Sequence, residues 1–172
     1  MRRSLAAVAL IRREVDGQTL FLAQWNESWQ RYSLVGGHKR EDETFRECLI
    51  REIREELGLT EGVHFHAGAE PVARLEFEAW SERAREQTAY TFEVVPVALT
   101  PPDAKPAAGG DTGAGANVGE ALQLIDANAA NRWLSRQEIA AGRTSDGRLV
   151  SETLQQVLDR APSEHKAPSK QP

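Results

Sequence analysis

Cysteine is almost missing from this chain. Cys48 is the only one in 172 residues, so no intramolecular disulfide can form and no cysteine-based zinc site can be assembled. A reducing, cytoplasmic setting is the simplest expectation from that count. Long apolar runs are missing too, since nothing approaches the roughly 20 residues of a membrane-spanning helix, and no membrane partner is expected. The N-terminus, MRRSLAAVALIRR, imitates a signal peptide, but its apolar run covers only Leu5 to Ile11 and leads into Arg12 and Arg13 instead of a small-residue cleavage site. It reads as a buried strand. Positive charge is also short: the net charge of -5 argues against a nucleic-acid polymer as the main partner, because such proteins present a basic surface to phosphates. A small phosphorylated ligand is still allowed, its charge met locally by metal ions and a few arginines.

What remains is an ordinary globular composition, with 40% apolar and 27% charged residues. The length suits one domain, expected over residues 1–160. The apolar runs Leu5 to Ile11 and Thr19 to Trp25 read as two strands joined at Asp16-Gly17, a strong hairpin signal. Arg31 to Gly37 is a third extended piece ending in a glycine pair. Pro71 to Trp80 and Gln87 to Leu99 read as two more strands, with Pro96 suggesting an edge or a bulge. Residues Thr100 to Asn117 are rich in Pro, Gly and Ala and are expected to be a mobile insertion, with order resuming near Glu120. Trp133 to Ile139 reads as a strand end entering a short helix capped by Ser135 and Glu138, Ser151 to Arg160 as a terminal helix, and residues 161–172 as a disordered tail. Hairpin logic with few helices gives an α+β fold, an α/β/α sandwich on a mixed sheet.

One helix is written with unusual clarity and carries a puzzle. Thr44 and Glu47 form a T-x-x-E capping box and Gly58 suits a left-handed stop. At about 100° per residue, Leu49, Ile50, Ile53 and Leu57 share a core flank, while Glu52, Glu55 and Glu56 converge on the neighbouring one. Those three acids lie at the negative end of the helix dipole, where each costs about 0.3–1 kcal/mol. Magnesium takes oxygen ligands, commonly one or two carboxylates with waters and substrate phosphates. Three glutamates on one arc can hold such ions, which cancel the repulsion, polarise a phosphoryl oxygen and activate a water.

From Gly37 the chain runs five residues to Glu43, seven more to Arg51-Glu52, then Ile53, Arg54, Glu55-Glu56, Leu57, Gly58 and Leu59. This is G-x5-E-x7-R-E-U-x-E-E-x-G-U, matched at all nine specified positions over 23 residues. The sequence therefore resembles the Nudix hydrolase family, whose box this is. The strand pair before the Gly-Gly turn and the Trp-Leu-Ser segment running into a helix extend the resemblance, while Val35 departs from it, since many members carry proline there.

The resemblance implies that Glu52, Glu55 and Glu56 bind Mg2+, with Mn2+ as an alternative, and that a backbone carbonyl of Gly36 or Gly37 adds a ligand. Glu52 is also implied as a general base. Arg51 would orient a glutamate and, with Glu43, lock the loop onto the helix, so Glu43 and Gly58 are structural. A further acid from a later segment often completes the set in this family, and Glu93 and Glu120 are the candidates for it here.

Around this core, Trp25 and Trp29 in QWNESWQRY are candidates for stacking on a nucleobase, and His38 and Lys39 for meeting phosphate. Arg54 reads as a helix ion-pair residue, Trp80 and Trp133 as packing, and Arg83 and Arg85 as solvated surface. His64 and His66 have no third ligand for zinc. Cys48 is expected to be a small buried thiol, with no base spaced to activate it.

The expected activity is Mg2+-dependent hydrolysis of a diphosphate linkage in a nucleoside diphosphate derivative, such as a nucleoside triphosphate, nucleotide sugar or dinucleotide, by water attack at phosphorus. A catalytically silent nucleotide-sensing domain on the same fold is the alternative, although its helix would have no need of three opposing charges. A diphosphate isomerase is a third reading, for which Cys48 is poorly placed. Pro71 is too little to choose a substrate class, and homodimerisation is left open.

Overall fold

The computed structural model describes residues 1–99 and 117–160. The expected tail at 161–172 and residues 100–116 of the expected insertion lie outside them. Strands β1 (Arg2–Val15), β2 (Gln18–Asn26), β3 (Arg31–Ser33) and β4 (Gly36–His38) precede helix α1 (Phe45–Leu57). After α1 come β5 (Phe65–Ala67), β6 (Ala73–Ser81), β7 (Glu86–Leu99), α2 (Asn117–Ala127), β8 (Asn131–Ser135), α3 (Arg136–Ala141) and α4 (Glu152–Arg160).

Strand β1 organises the molecule. Its first part lies between β4, antiparallel, and β7, parallel, while its last four residues form a hairpin with β2 across Asp16-Gly17. Strand β7 pairs β6 and then β5 on its far side, and β2 is flanked by β3 and β8. One parallel pair among antiparallel ones makes the sheet mixed.

Alternation along β1 explains the layers. Ala6, Val8 and Leu10 enter one core with Ile139, Leu154 and Val157 from α3 and α4. Ala7, Ala9 and Ile11 enter the other with Cys48, Leu49 and Ile53 from α1 and Ala121 and Ile125 from α2. A strand buried on both faces reads as a continuous apolar run, which is why LAAVALI resembled a leader segment. Each fully buried aliphatic side chain here contributes about 1.5–3 kcal/mol. The expected α/β/α sandwich is therefore present. No helix is long and apolar enough to cross a membrane among the described residues.

Three elements differ from the expectations. The extended piece Arg31 to Gly37 is two strands, because β3 pairs β2 while β4 leaves it to pair β1. Asn117, expected within the insertion, instead opens α2, a helix that the sequence reading did not anticipate. Pro96 is at neither an edge nor a bulge: it stands in β7 opposite Leu10, where the partner on the other side changes from β6, ending at the Val94–Ala73 pair, to β5, starting at Val97–Ala67. Its carbonyl accepts the Gly68 N–H at 2.8 Å, so its missing N–H falls in the gap between the two partner strands and no ladder bond is lost.

Candidate catalytic site

Helix α1 begins and ends as its sequence dictates. Thr44 Oγ1 accepts the Glu47 N–H at 3.1 Å, Glu47 Oε2 accepts the Thr44 N–H at 2.8 Å, and Gly58 closes the helix at φ 70° with its N–H on the Arg54 carbonyl. Cys48, Leu49, Ile53 and Leu57 face the core. The acidic flank is thereby turned toward β4.

Strand β4 places two glycines against that flank for different reasons. Gly36 has φ 151° and lies where a Cβ would strike the Ala7 carbonyl oxygen. A Cβ on Gly37 would instead run into the Glu52 carboxylate. The Cys48 thiol donates to the Gly37 carbonyl at 3.4 Å, and burial pushes its pKa up, an environment that suits a structural thiol and works against a nucleophile.

Arg51 is the hub. Its Nε and Nη2 donate to Glu43 Oε1 and Oε2 at 2.5 and 3.0 Å, its Nη1 to Glu52 Oε1 at 2.5 Å and to Glu55 Oε2 at 3.3 Å, and its Nη2 to the His38 carbonyl at 3.1 Å. The side chain is only 11% exposed. The hydrogen bond from Arg51 holds Glu43 down at about 2, the Arg40 amide adding to it.

Glu56 has the opposite environment. Burial first, then the charges of Glu52 and Glu55, push its pKa up to about 7 against the opposing pull of the Gly36 amide. Its Oε2 is buried and accepts no hydrogen bond. Glu55 is half exposed and leans between Arg51 and Arg40, 3.3 and 3.9 Å away.

The three carboxylates thus share a flank without converging. Among the described residues no three His, Cys, Asp or Glu side chains are gathered closely enough to hold an ion as they stand. The reason is Arg51, which engages Glu52 and Glu55 from one side while Glu56 stays buried beside Gly36. The donor set nevertheless suits a hard divalent cation: carboxylate oxygens, glycine carbonyls close by, and an orphaned buried oxygen on Glu56 whose desolvation a cation would offset.

The other candidates are dispersed. Trp25 packs edge-on against Tyr32 at 5.2 Å with Arg148 over its ring, in the core layer opposite α1, and Trp29 is an exposed turn residue. His38 contributes its carbonyl to Arg51, while its ring bonds Ser4 Oγ at 2.9 Å. The Lys39 ammonium caps the Arg40 carbonyl. Arg54, expected in a helix ion pair, makes none among the described residues: Glu55 pairs Arg51, and Glu47 closes the capping box. Trp133 packs as expected, bonding Asp126 at 2.9 Å, but Trp80, expected to pack, is 56% exposed.

Of the two later acids, Glu120 lies on α2 and faces His64 Nε2 at 3.4 Å, while His64 Nδ1 accepts the Thr60 N–H. Glu93 is nearer the glycines. Register places it beside Ala7, which in turn pairs Gly37, and it is 17% exposed with Arg74 3.7 Å away. Nothing local in the sequence marks this position, because it depends on a parallel pairing between strands some 85 residues apart.

A family profile described as NUDIX domain matches residues 2–152. The chain belongs to the Nudix hydrolase family. Solved structures agree on the fold of this Nudix protein. An Ap4A hydrolase from C. elegans is similar over 93% of this chain and 96% of its own, with a TM-score of 0.56 at 14% identity. A mutT/nudix family protein from Listeria innocua is similar over 94% and 92%, with a TM-score of 0.54 at 15% identity. NrtR from Shewanella oneidensis, solved with a 27mer DNA, is similar over 91% of this chain but 59% of its own, with a TM-score of 0.56 at 14% identity. No curated protein sequence matches the chain. The family makes the chain an enzyme of the pyrophosphohydrolase class.

Proposed function

We propose that this Nudix protein hydrolyses a diphosphate linkage in a nucleoside diphosphate derivative by water attack at phosphorus, with Mg2+ or Mn2+ held by Glu52, Glu55, Glu56 and a carbonyl of Gly36 or Gly37. The observation that carries the reading is Glu56 Oε2, a buried carboxylate oxygen without a hydrogen bond, facing the charges of two further glutamates. A carboxyl so placed is costly unless a cation meets it. Bound there, the metal supplies Lewis-acid polarisation of a phosphoryl oxygen and a lowered pKa for an attacking water.

The chain's own residues set up that chemistry. Arg51 fixes one oxygen of Glu52 and leaves the other oxygen free as a ligand or proton acceptor. Glu43 holds Arg51 from the loop side, so the loop carrying Gly36 and Gly37 and the helix carrying the acids keep one spacing. Gly37, lacking a Cβ, leaves room for the Glu52 carboxylate against the strand. The similarity to an Ap4A hydrolase supports a two-armed or nucleotide substrate, and the intact acid set supports an enzyme over a silent sensor.

The test is hydrolysis of a panel of nucleoside triphosphates, nucleotide sugars and dinucleotides in Mg2+, followed by phosphate products. Turnover of at least one and its loss in Glu55→Gln with Glu56→Gln are expected. Full activity of that double variant would overturn the metal assignment, and tight nucleotide binding without any turnover would replace the hydrolase by a sensor.

A further inference from the structure

The sheet face that α1 covers continues beyond the helix as an open strip, and its residues follow from register. Gly37, Ala7, Glu93 and Arg74 form one row across β4, β1, β7 and β6. Moving toward the start of β1, the next row is Leu5, Thr91 and Glu76, and the one after is Arg3, Ala89 and Glu78. These two rows, with Arg74, Phe77 and Tyr90, line a cleft of about 500 Å³. The cleft is open to solvent along one side and is roomy enough for a nucleoside-sized group.

Its chemistry suits a neutral polar occupant better than a phosphate. Arg74 is already met by Glu76 at 3.0 Å and by Glu93 at 3.7 Å. Arg3 has no carboxylate partner among the described residues, but Glu76 and Glu78 both line the same cleft, so guanidinium and carboxylate charge balance there. Carboxylates accept O–H and N–H donors, whereas Arg3 and the Thr91 hydroxyl supply donors in return. Leu5, 37% exposed, and Ala89 give an apolar floor for a flat ring. Trp80 lies two residues beyond Glu78 on the same face and is 56% exposed, an aromatic surface at the far end of the strip.

The cleft is also at the right distance. Leu5 is two residues from Ala7 along β1, about 7 Å, and each neighbouring strand adds about 4.8 Å, so its centre is within about 15 Å of the Gly37–Glu52 edge. That is the reach of a nucleoside extended away from its diphosphate. We propose that this cleft is the subsite for the uncharged nucleoside arm of the substrate, its hydroxyl and amino groups on Glu76, Glu78, Arg3 and Thr91 and its base directed toward Trp80. The inference rests on the diphosphate being held at α1.

Two readouts separate this proposal from the hydrolase reading. The full chain, free of metal, is titrated with adenosine, guanosine, cytidine and uridine while backbone amide shifts are followed. At least one nucleoside is expected to shift the amides of Leu5, Glu78, Ala89 and Thr91, and Ala89→Trp, which fills the cleft floor, should abolish those shifts. With a hydrolysed nucleotide, the same variant should raise KM tenfold or more. Trp80→Ala, a surface change that keeps the sheet intact, should weaken nucleoside affinity several-fold, and it serves if the larger substitution unfolds the chain. Amide shifts elsewhere with none in the cleft would overturn the proposal, as would a KM for Ala89→Trp within twofold of the parent. Cleft shifts in a protein that hydrolyses no diphosphate would leave the subsite standing and remove the catalytic reading.

Discussion

Arg51 grips Glu43 with two parallel hydrogen bonds, 2.5 Å from Nε and 3.0 Å from Nη2, across eight residues that include the whole N-terminal cap of α1. Bidentate geometry of this kind fixes orientation as well as distance, and lysine cannot reproduce it. The pair therefore sets where the acidic flank stands relative to the Gly36-Gly37 strand. Arg51→Lys is expected to keep the charge but lose the fork, lowering Tm by about 5 °C and reducing kcat more than the stability loss explains. Melting by circular dichroism, with activity measured well below the transition, checks both. An unchanged kcat would confine Arg51 to a stability role.

Glu43 gives this pair a pH signature. Its carboxyl titrates near 4.5 in an unfolded chain and at about 2 here, so its contribution is present above about 4.5 and is lost as pH falls toward 2. Glu43→Gln should lower Tm at neutral pH and flatten the acid limb of the stability curve. Parallel melting curves for parent and variant from pH 7 to pH 2 would contradict that origin.

Adjacent glycines should fail in different ways. At Gly36 a methyl group meets the Ala7 backbone and a φ of 151°, neither of which can give way cheaply, so Gly36→Ala should cost folding and yield. At Gly37 the obstacle is the Glu52 carboxylate, the end of a side chain that can move. Gly37→Ala should then remain folded and lose activity by about 100-fold or more through displacement of Glu52. Thermal melting beside kcat distinguishes them, and equal stability losses in both variants would erase the distinction.

Glu56 predicts a stability curve of the opposite sense to that of Glu43. With its pKa raised from 4.5 to about 7, the folded chain holds a proton that the unfolded chain releases, so stability falls as pH rises from about 4.5 to 7 and stays low above it. Without metal, Glu56→Gln should match the parent near pH 4 and exceed its Tm by a few degrees at pH 8. Added Mg2+ should then stabilise the parent more than the variant at pH 8. A Tm difference that is the same at both pH values would mean that Glu56 is not the buried acid described here.

How much of this was legible depended on how local each feature is. The limits of α1, the capping boxes at Thr44 and Ser135 and the turn at Asp16-Gly17 rest on residues within four positions of one another, and all were readable. The split between β3 and β4 was not, because it reflects a change of partner from β2 to β1. Helix α2 was missed because Gly119 interrupts its sequence pattern and, among its described side chains, Ala121 and Ile125 alone are fully buried. Helical angles put Glu52, Glu55 and Glu56 on one flank, but the direction each carboxylate takes is decided by Arg51, Arg40 and Gly36, which no periodicity reveals. Trp80 looked like packing because aromatics in strands usually are, yet β6 leaves that end of its outer face uncovered.

Glu93 and Glu120 can be told apart by the same non-local geometry. Glu120 is spent on His64 from a helix that contributes no other acid to the α1 flank, and Glu120→Gln should loosen α2 without changing the metal dependence of turnover. Glu93 stands in the row of Gly37 and Ala7, mostly shielded from solvent, with Arg74 as its one ion-pair partner among the described residues. A carboxylate there lies between the diphosphate edge and the mouth of the cleft, so it can hold a water or steer Arg74. Glu93→Gln is isosteric and should preserve Tm within about 2 °C while lowering kcat about tenfold or more. Comparing kcat as a function of Mg2+ concentration for the two variants decides the matter: loss of activity in Glu120→Gln with none in Glu93→Gln would move the further acid from the sheet to α2.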